Sequence, residues 1–577
     1  MATVLVEQNV PARMRDGVTL YADVYRPFDD DRHPVLLTRL PYGKAGVASL
    51  LSPVRVAQAG YAVVVQDCRG TGASEGHFGY FATLGQEGPD GYDTVEWAAG
   101  LPYSDGNVGM FGLSYFGWTQ WAAAAQRPPH LRAIAPMQTW SDHRLVPSGY
   151  RGGAFELGNH LSWHLGMAVG QTTKRLAASG AAPAEIQAAM GRLVATIDRL
   201  SYDGYFDTPL RDLPSLREIG LNTILSYLFD AGPGGEFPGS TIDLSSVEVP
   251  SLSVGGWHDV LLQPTLDGYV GARARGRGLA RQARLLVGPW THGDGMMSGT
   301  QGEMSFGMAS SGLSIGMRED LVALTLRWSD HWLRGVDNGI DREPPVQVFV
   351  TGVNRWIPLG DWPPAGAMET PLYLGSGGAL VPMPSVEREA SSRYTYDPAS
   401  PAPTLGGATL LPQVYRAGVK DQRPLSARSD VLTFTAPALD TPLAVIGPVS
   451  ADLWVSSSAP DTDFVVRLVD VHPDGYMENV CDGITRARYR ESSANPSFLE
   501  PGRVYGLSVD LWSTAHTFGV GHRVAVQVTS SSFPRWDRNW NTREDPAAAT
   551  SGQPAEQTIW HDAARPSRIL LPEVQLG

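Results

Sequence analysis

The chain has 577 residues, and that length calls for two to four domains rather than one core. Its net charge of −14, without a basic cluster, excludes the electrostatic footprint of a nucleic-acid binder. No apolar run approaches the ~18 residues of a membrane helix, and the first residues lack the basic and apolar regions of a signal peptide, so a soluble cytoplasmic protein is expected.

Residues 1–30 read as two strands around the Asp16-Gly17 turn. Residues 35–40 form a continuous apolar run ending at Pro41-Tyr42-Gly43-Lys44. Residues 60–67 form another, followed by Cys68-Arg69-Gly70-Thr71-Gly72. Continuous rather than alternating runs are expected of parallel strands covered on both faces. Helical segments lie between them near residues 54–59 and 93–99, and residues 131–136 make a further strand. This βαβ alternation predicts a parallel α/β sheet.

Within that sheet, Gly109-Met110-Phe111-Gly112-Leu113-Ser114-Tyr115-Phe116-Gly117 places Ser114 where a strand turns sharply into an alanine-rich helix. A serine on such an elbow holds its hydroxyl above the sheet, over the amides of the helix start. The usual elbow is Gly-x-Ser-x-Gly, and here Phe116 stands where the second glycine belongs. A glycine-rich turn whose serine merely caps the helix fits equally, so the partners of Ser114 decide.

From about residue 140 to 240 the sequence is amphipathic and helical, which predicts a lid over the strand ends or a separate helical domain. The strand pattern resumes at residues 249–257, delivering His258-Asp259, and at 284–290, delivering Thr291-His292. A helix over residues 321–333 closes this core. Beyond residue 345, short alternating strands predict a β-sandwich or jelly roll. The expected division is a core over 1–142 and 244–345, a helical cap over 143–243, and a β domain over 346–577.

A neutral-pH serine needs a base, and the base needs a carboxylate to hold its tautomer. Asp259 and His292 each follow an apolar strand, in the order Ser, Asp, His of α/β-hydrolases. His258 and His331 are rivals for the base. The amide of Tyr115 offers one oxyanion donor. The loop that bears Tyr42 lacks the His-Gly-Gly-Gly run of lipases, and the Tyr42 hydroxyl offers a second donor unless the ring only packs.

The segments Arg39-Leu40-Pro41-Tyr42-Gly43-Lys44, Gln66-Asp67-Cys68-Arg69-Gly70, Asp105 to Tyr115, Gly256-Trp257-His258-Asp259, Val287-Gly288-Pro289-Trp290-Thr291-His292, Asp421-Gln422-Arg423-Pro424 and Asp461-Thr462-Asp463-Phe464 resemble the cocaine esterase and X-Pro dipeptidyl-peptidase family of serine hydrolases nearly end to end. That family's elbow carries the displaced glycine. The resemblance implies an α/β-hydrolase core with an inserted helical cap and a C-terminal jelly roll. It implies Ser114 as nucleophile, His292 as base, Asp259 as orienting acid, and Tyr42 and Tyr115 as the oxyanion hole. No cofactor and no metal are expected.

The family's amino-ester hydrolases place acids just after the orienting Asp, where this chain has Val260, Leu261 and Leu262. A buried ammonium without a carboxylate is costly. Trp163 falls at a cap position that lines the aromatic acyl pocket in esterases of the group. With Leu261, Trp140 and Phe116 it implies an apolar pocket, and Gln138 and Ser148 stand at further pocket positions. The expected activity is a serine carboxylesterase acting on neutral or aromatic acyl esters through an acyl-enzyme. The alternatives are a peptidase or amide acylase of the same family, acyl transfer to another nucleophile, or a binding protein with an idle hydrolase core. The expected partner is a small-molecule ester or amide, with neither nucleic acid nor membrane. Oligomeric state is left open, a homodimer included.

Overall fold

The computed structural model describes residues 3–46, 52–142 and 149–576. Ten strands build the core sheet: β1 (Val4–Arg13), β2 (Thr19–Pro27), β3 (His33–Leu40), β4 (Ala62–Asp67), β5 (Ser104–Leu113), β6 (Leu131–Met137), β7 (Leu252–His258), β8 (Arg284–Thr291), β9 (Val346–Val350) and β10 (Arg355–Leu359). They pair in the order β1-β2-β4-β3-β5-β6-β7-β8-β9-β10. From β4 to β9 every pairing is parallel, and antiparallel strands flank both edges.

All residues of β4 are buried. Ala62 and Val64 pack with Val95 of α2 (Glu87–Ala99) and Trp118 of α3 (Tyr115–Ala125), while Val63 and Val65 pack on the opposite face. That is why the run shows no polar alternation: both faces are covered by helices. On the second face lie α1 (Pro53–Gln58) and, further along the chain, α7 (Leu321–Arg334). Asp320 caps α7 by accepting from the Ala323 amide at 2.7 Å. Its buried Leu321, Leu324, Thr325 and Trp328 make the one-sided stripe of a surface helix.

The cap contains α4 (Leu157–Ala178) and α5 (Pro183–Arg199). Pro183 opens α5, where the missing N–H has no intrahelical role, and Glu185 reaches back to the Ala182 amide at 2.8 Å. The core resumes with β7, α6 (Leu262–Arg275) and β8. Among the described residues no helix is long and apolar enough to cross a membrane. Cys68 and Cys481 are free thiols.

The core sheet continues past residue 345, where the β domain was expected to begin. Val346–Val350 pairs with β8, and Arg355–Leu359 with it in turn. The alternating valines of β9 resemble a half-exposed strand, yet four of its five residues are buried. The backbone carbonyl of Phe349 also accepts from the Trp257 indole at 2.6 Å.

The C-terminal region is a separate system of twelve strands. Its spine is β11 (Leu443–Ser457), which pairs with β14 (Tyr505–Phe518), β16 (Ala555–Asp562) and β17 (Arg568–Glu573). β12 (Asp463–Val471) lies between β13 (Met477–Arg486) and β15 (Arg523–Thr529). Val445, Val455, Phe464, Phe518, Val526 and Ile559 belong to a core of its own. The Asp461 and Asp463 segment turns out to be a buried charge network. Arg486 pairs with Asp463 at 2.8 Å and with Asp537 at 2.9 Å, and Arg488 with Asp461 at 2.7 Å. Asp537 accepts in addition from the Phe155 amide at 2.8 Å, which ties the β domain to the start of the cap.

One half-buried acid makes stability depend on pH. Burial pushes Asp267 of α6 up to about 6, with like charge from Asp510 adding to it. In an unfolded chain the group titrates near about 3.9. The folded state thus holds the extra proton between those values, and stability falls as pH rises through that window. Asp267→Asn is expected to raise the unfolding midpoint at pH 7.5, and to raise it less at pH 5. Thermal unfolding of both proteins at the two pH values measures this.

Candidate active site

Ser114 joins β5 to α3 with φ 58° and ψ −128°. This is the left-handed region that L-residues avoid, and it persists only when neighbours fix it. They do so on both sides. The Ser114 amide donates to the Met137 carbonyl at 2.9 Å and the Gln138 carbonyl at 3.1 Å. Its carbonyl accepts from the Trp118 amide at 3.0 Å and the Thr139 hydroxyl at 2.6 Å. The glycine placement has a steric cause. A Cβ on Gly117 would lie 2.6 Å from Thr139, and one on Gly112 would lie 2.2 Å from the Phe116 ring. Phe116 therefore fits only because Gly112 makes room for it.

Asp259 follows β7 and His292 follows β8, so both arrive at the carboxyl ends of the strands beside the elbow. His292 Nε2 lies 3.1 Å from Ser114 Oγ, and its Nδ1 lies 2.8 Å from Asp259 Oδ1. Asp259 is fully buried, and the Leu261 amide holds the same oxygen at 3.1 Å. With Nδ1–H donated to the carboxylate, Nε2 is left to accept the serine proton. His258 is not the base: it lines a different cavity, with Trp257, Cys481 and Trp512, while His292 Nε2 faces Ser114; desolvation pulls His258 down to about 4. His331 sits on α7, where its Nδ1 meets the Val336 carbonyl at 3.2 Å.

Tyr42 lies beside Ser114. Burial raises its phenol, which keeps the proton in place for donation, and contacts with Trp163 and Ser114 oppose the shift. The Trp163 indole donates to the Tyr42 oxygen at 3.3 Å. The loop is set by Asp67 at the end of β4. That carboxylate accepts from the Lys44 amide at 2.7 Å, the Lys44 ammonium at 3.1 Å and the Ala73 amide at 2.9 Å. Gly72 makes this possible, since a Cβ there would fall 2.2 Å from Asp67. Tyr115 occupies the first position of α3, where an amide has no acceptor within the helix.

A cavity opens at Ser114 and His292. Trp140, Trp163, Leu261, Tyr42 and Tyr115 line it. Trp163 stacks on Phe81 at 4.5 Å and Trp140 on Trp118 at 5.7 Å, so both indoles are held in fixed planes. Phe81, Val260, Asn159, His160 and Leu410 line it too and were not anticipated, apart from Val260. Leu410 comes from the C-terminal region. Its amide donates to Asn159 Oδ1 at 2.8 Å, and its carbonyl accepts from Ser162 Oγ at 2.9 Å. A wider groove continues outward past Tyr42 and Trp163, lined by Gly43, Gly166, Gly170 and Lys174.

Two expected pocket residues are not in the cavity, and Ser148 lies outside the described residues. Phe116 is buried behind Tyr42, edge to face at 6.0 Å, because Gly112 directs its ring into the core. Gln138 is fully buried and brackets His292 instead. Its Nε2 donates to the Thr291 carbonyl at 2.9 Å, and its Oε1 accepts from the Gly293 amide at 2.7 Å. Both ends of the carboxamide hold the residues flanking the imidazole, and the side chain, fully buried, is out of a ligand's reach.

A mostly parallel sheet with helices on both faces, bearing a serine elbow, an acid and a histidine at its strand ends in that order, defines an α/β-hydrolase. Comparison with known proteins narrows the class. The model of the X-Pro dipeptidyl-peptidase (S15 family) matches residues 16–294, and that of the X-Pro dipeptidyl-peptidase C-terminal non-catalytic domain matches residues 338–570. The chain is 36% identical to cocaine esterase of Rhodococcus sp. over 99% of both chains. An aminopeptidase from a marine sediment archaeon superimposes with a TM-score of 0.75 at 26% identity, over 100% of this chain and 97% of that one. An α-amino acid ester hydrolase gives 0.74 at 25%, over 99% and 97%. The chain belongs to the S15 family of serine hydrolases, which includes cocaine esterase.

Gln138→Ala removes both clamps on the His292 loop. A displacement of the imidazole by about 1 Å costs about 10²-fold. The expected result is a fall in kcat of that order with KM little changed, the same for small and bulky acyl esters. A loss confined to one acyl size would instead mark Gln138 as a substrate contact. Steady-state kinetics on an ester series measures the difference.

Proposed function

We propose that the protein is a serine carboxylesterase that hydrolyses neutral or aromatic acyl esters through an acyl-enzyme. One observation carries this reading. The cavity at Ser114 is walled by Trp140, Trp163, Phe81, Leu261 and Leu410, and none of its described lining residues is acidic. An aromatic or aliphatic acyl group gains from transfer into such a wall, at about 25 cal/mol per Å² of apolar surface buried. An α-ammonium there would be desolvated without a counter-charge.

In this mechanism Ser114 Oγ attacks the ester carbonyl carbon while His292 Nε2 takes its proton. Asp259 holds the imidazole tautomer and stabilises the cation that forms. The oxyanion is met by the Tyr42 hydroxyl and the Tyr115 amide, two donors fixed before the reaction begins. The intermediate collapses, the alkoxide leaves with the proton from His292, and the alcohol departs along the groove beside Gly166 and Gly170. Water then attacks the acyl-enzyme by the same steps, releasing the acid and restoring Ser114. The substrate is a small molecule, and two free thiols suit a reducing compartment such as the cytoplasm.

A second reading, amide or peptide hydrolysis, is favoured by the S15 family model and by the aminopeptidase neighbour. p-Nitrophenyl benzoate is expected to turn over far faster than Ala-Pro-p-nitroanilide. Preference for the anilide would replace the esterase reading with the peptidase one.

Ser114→Ala is expected to lower kcat by about 10⁶ and to abolish fluorophosphonate labelling. Tyr42→Phe is expected to lower kcat by about 10²–10³ with KM little changed. Undiminished turnover in the Tyr42 variant would remove the hydroxyl from the oxyanion site.

A further inference from the structure

Outside the cavity, strand register gathers four side chains of metal-ligand type on the C-terminal sheet. In the β12–β13 ladder Asp470 is paired directly with Glu478. In the β12–β15 ladder Val471 is paired with Arg523, so His472 and His522, one residue further out, face each other. Side chains alternate along a strand, which puts Asp470 and His472 on one face. The atoms converge accordingly. His472 Nε2 lies 3.1 Å from Glu478 Oε2 and 3.8 Å from Asp470 Oδ2. His522 Nδ1 lies 2.9 Å from both Asp470 oxygens. One ligand atom each from Asp470, His472 and His522 fall within 4.8 Å of one another.

A second observation points to a cation. Asp470 and Glu478 are like charges directly opposed across two strands, and they are only 1% and 5% exposed. Such a pair is destabilising by itself, and the surrounding imidazoles meet it, His516 and His522 at Asp470 and His472 at Glu478. Asp470 is further oriented from behind: His516 Nε2 lies 3.0 Å from its Oδ2, and His516 Nδ1 lies 2.8 Å from Thr351 Oγ1. Thr351 immediately follows β9 of the core sheet. A ligating carboxylate held by an outer partner is the usual construction of a metal site.

We infer that Asp470, His472 and His522 bind one divalent cation of the zinc type, with the fourth position left to solvent. Zinc bonds nitrogen and oxygen at about 2.0–2.2 Å in a tetrahedron, which places neighbouring donors roughly 3.4 Å apart. The separations above bracket that figure. Two imidazoles set the site against calcium and magnesium, which take oxygen. The histidine side chains are each 22% exposed, so an ion can enter from solvent. The ion joins the turn after β12 to the turn before β15, and through His516 and Thr351 it braces the β domain against the edge of the core sheet.

The test uses the full chain, stripped with a chelator and titrated with zinc chloride in a calorimeter, with thermal unfolding in parallel. The expected result is one equivalent bound and an unfolding midpoint that rises with zinc concentration. His472→Ala and His522→Ala should each weaken binding at least tenfold, and the double variant should lose the zinc-dependent rise, while Ser114→Ala keeps both. Cobalt(II) added to the unaltered chain should give the visible d–d bands of a four-coordinate site, a readout independent of how the variants fold. No saturable binding, no such bands, or zinc affinity unchanged in the double variant (an adventitious ion only) would overturn the assignment.

Discussion

The backbone of Ser114 is held in a conformation that an isolated chain would leave, and the rest of the site is arranged around that turn. Its amide is tied to the carbonyls of Met137 and Gln138, and its carbonyl to Trp118 and Thr139. The neighbouring strand β6 and the helix α3 therefore share the strain. Only with the hydroxyl fixed above the strand ends does its 3.1 Å approach to His292 Nε2 become meaningful. Strain of this kind survives because the surrounding packing over-determines it, and the buried tryptophans of α3 supply that packing.

A layer of buried polar groups lies just behind the reacting atoms, and each fixes one loop. Asp67 gathers the loop that carries Tyr42. Gln138 clamps the two peptide groups around His292. Glu87 accepts from the Tyr115 hydroxyl at 3.0 Å and is itself paired with the fully buried Arg39 at 2.9 Å. None of these groups touches the cavity. They hold the groups that do, which matters because small displacements of a reacting group are expensive.

Much of the core was legible because local pattern and tertiary role agree there. Ser114, Asp259 and His292 each end a continuous apolar strand, and parallel topology carries all such ends to one edge. The cap helices were legible from their single apolar face. Other features depend on pairings that leave no local mark. Gln138 reads as a polar pocket residue until its partners, Thr291 and Gly293, are known. Phe116 reads as a pocket aromatic until Gly112 shows where its ring goes. Phe81 lies on the irregular turn Tyr80–Gln86, without periodicity to flag it. The valines of β9 alternate like a half-exposed strand although the core sheet claims them. His472 and His522 become neighbours only through the register of β12 and β15, which sequence spacing does not encode.

Leu410 gives the architecture one more implication. A residue of the C-terminal region forms part of the wall against which the acyl group would lie, and it is pinned there by Asn159 and Ser162 of the cap. Under the proposed esterase reading the acyl wall is composite, with portions drawn from the core, the cap and the C-terminal region. Changes in a distant loop can reshape what the enzyme accepts without disturbing the bond-breaking apparatus. In such a design, chemistry and taste are free to evolve at different speeds.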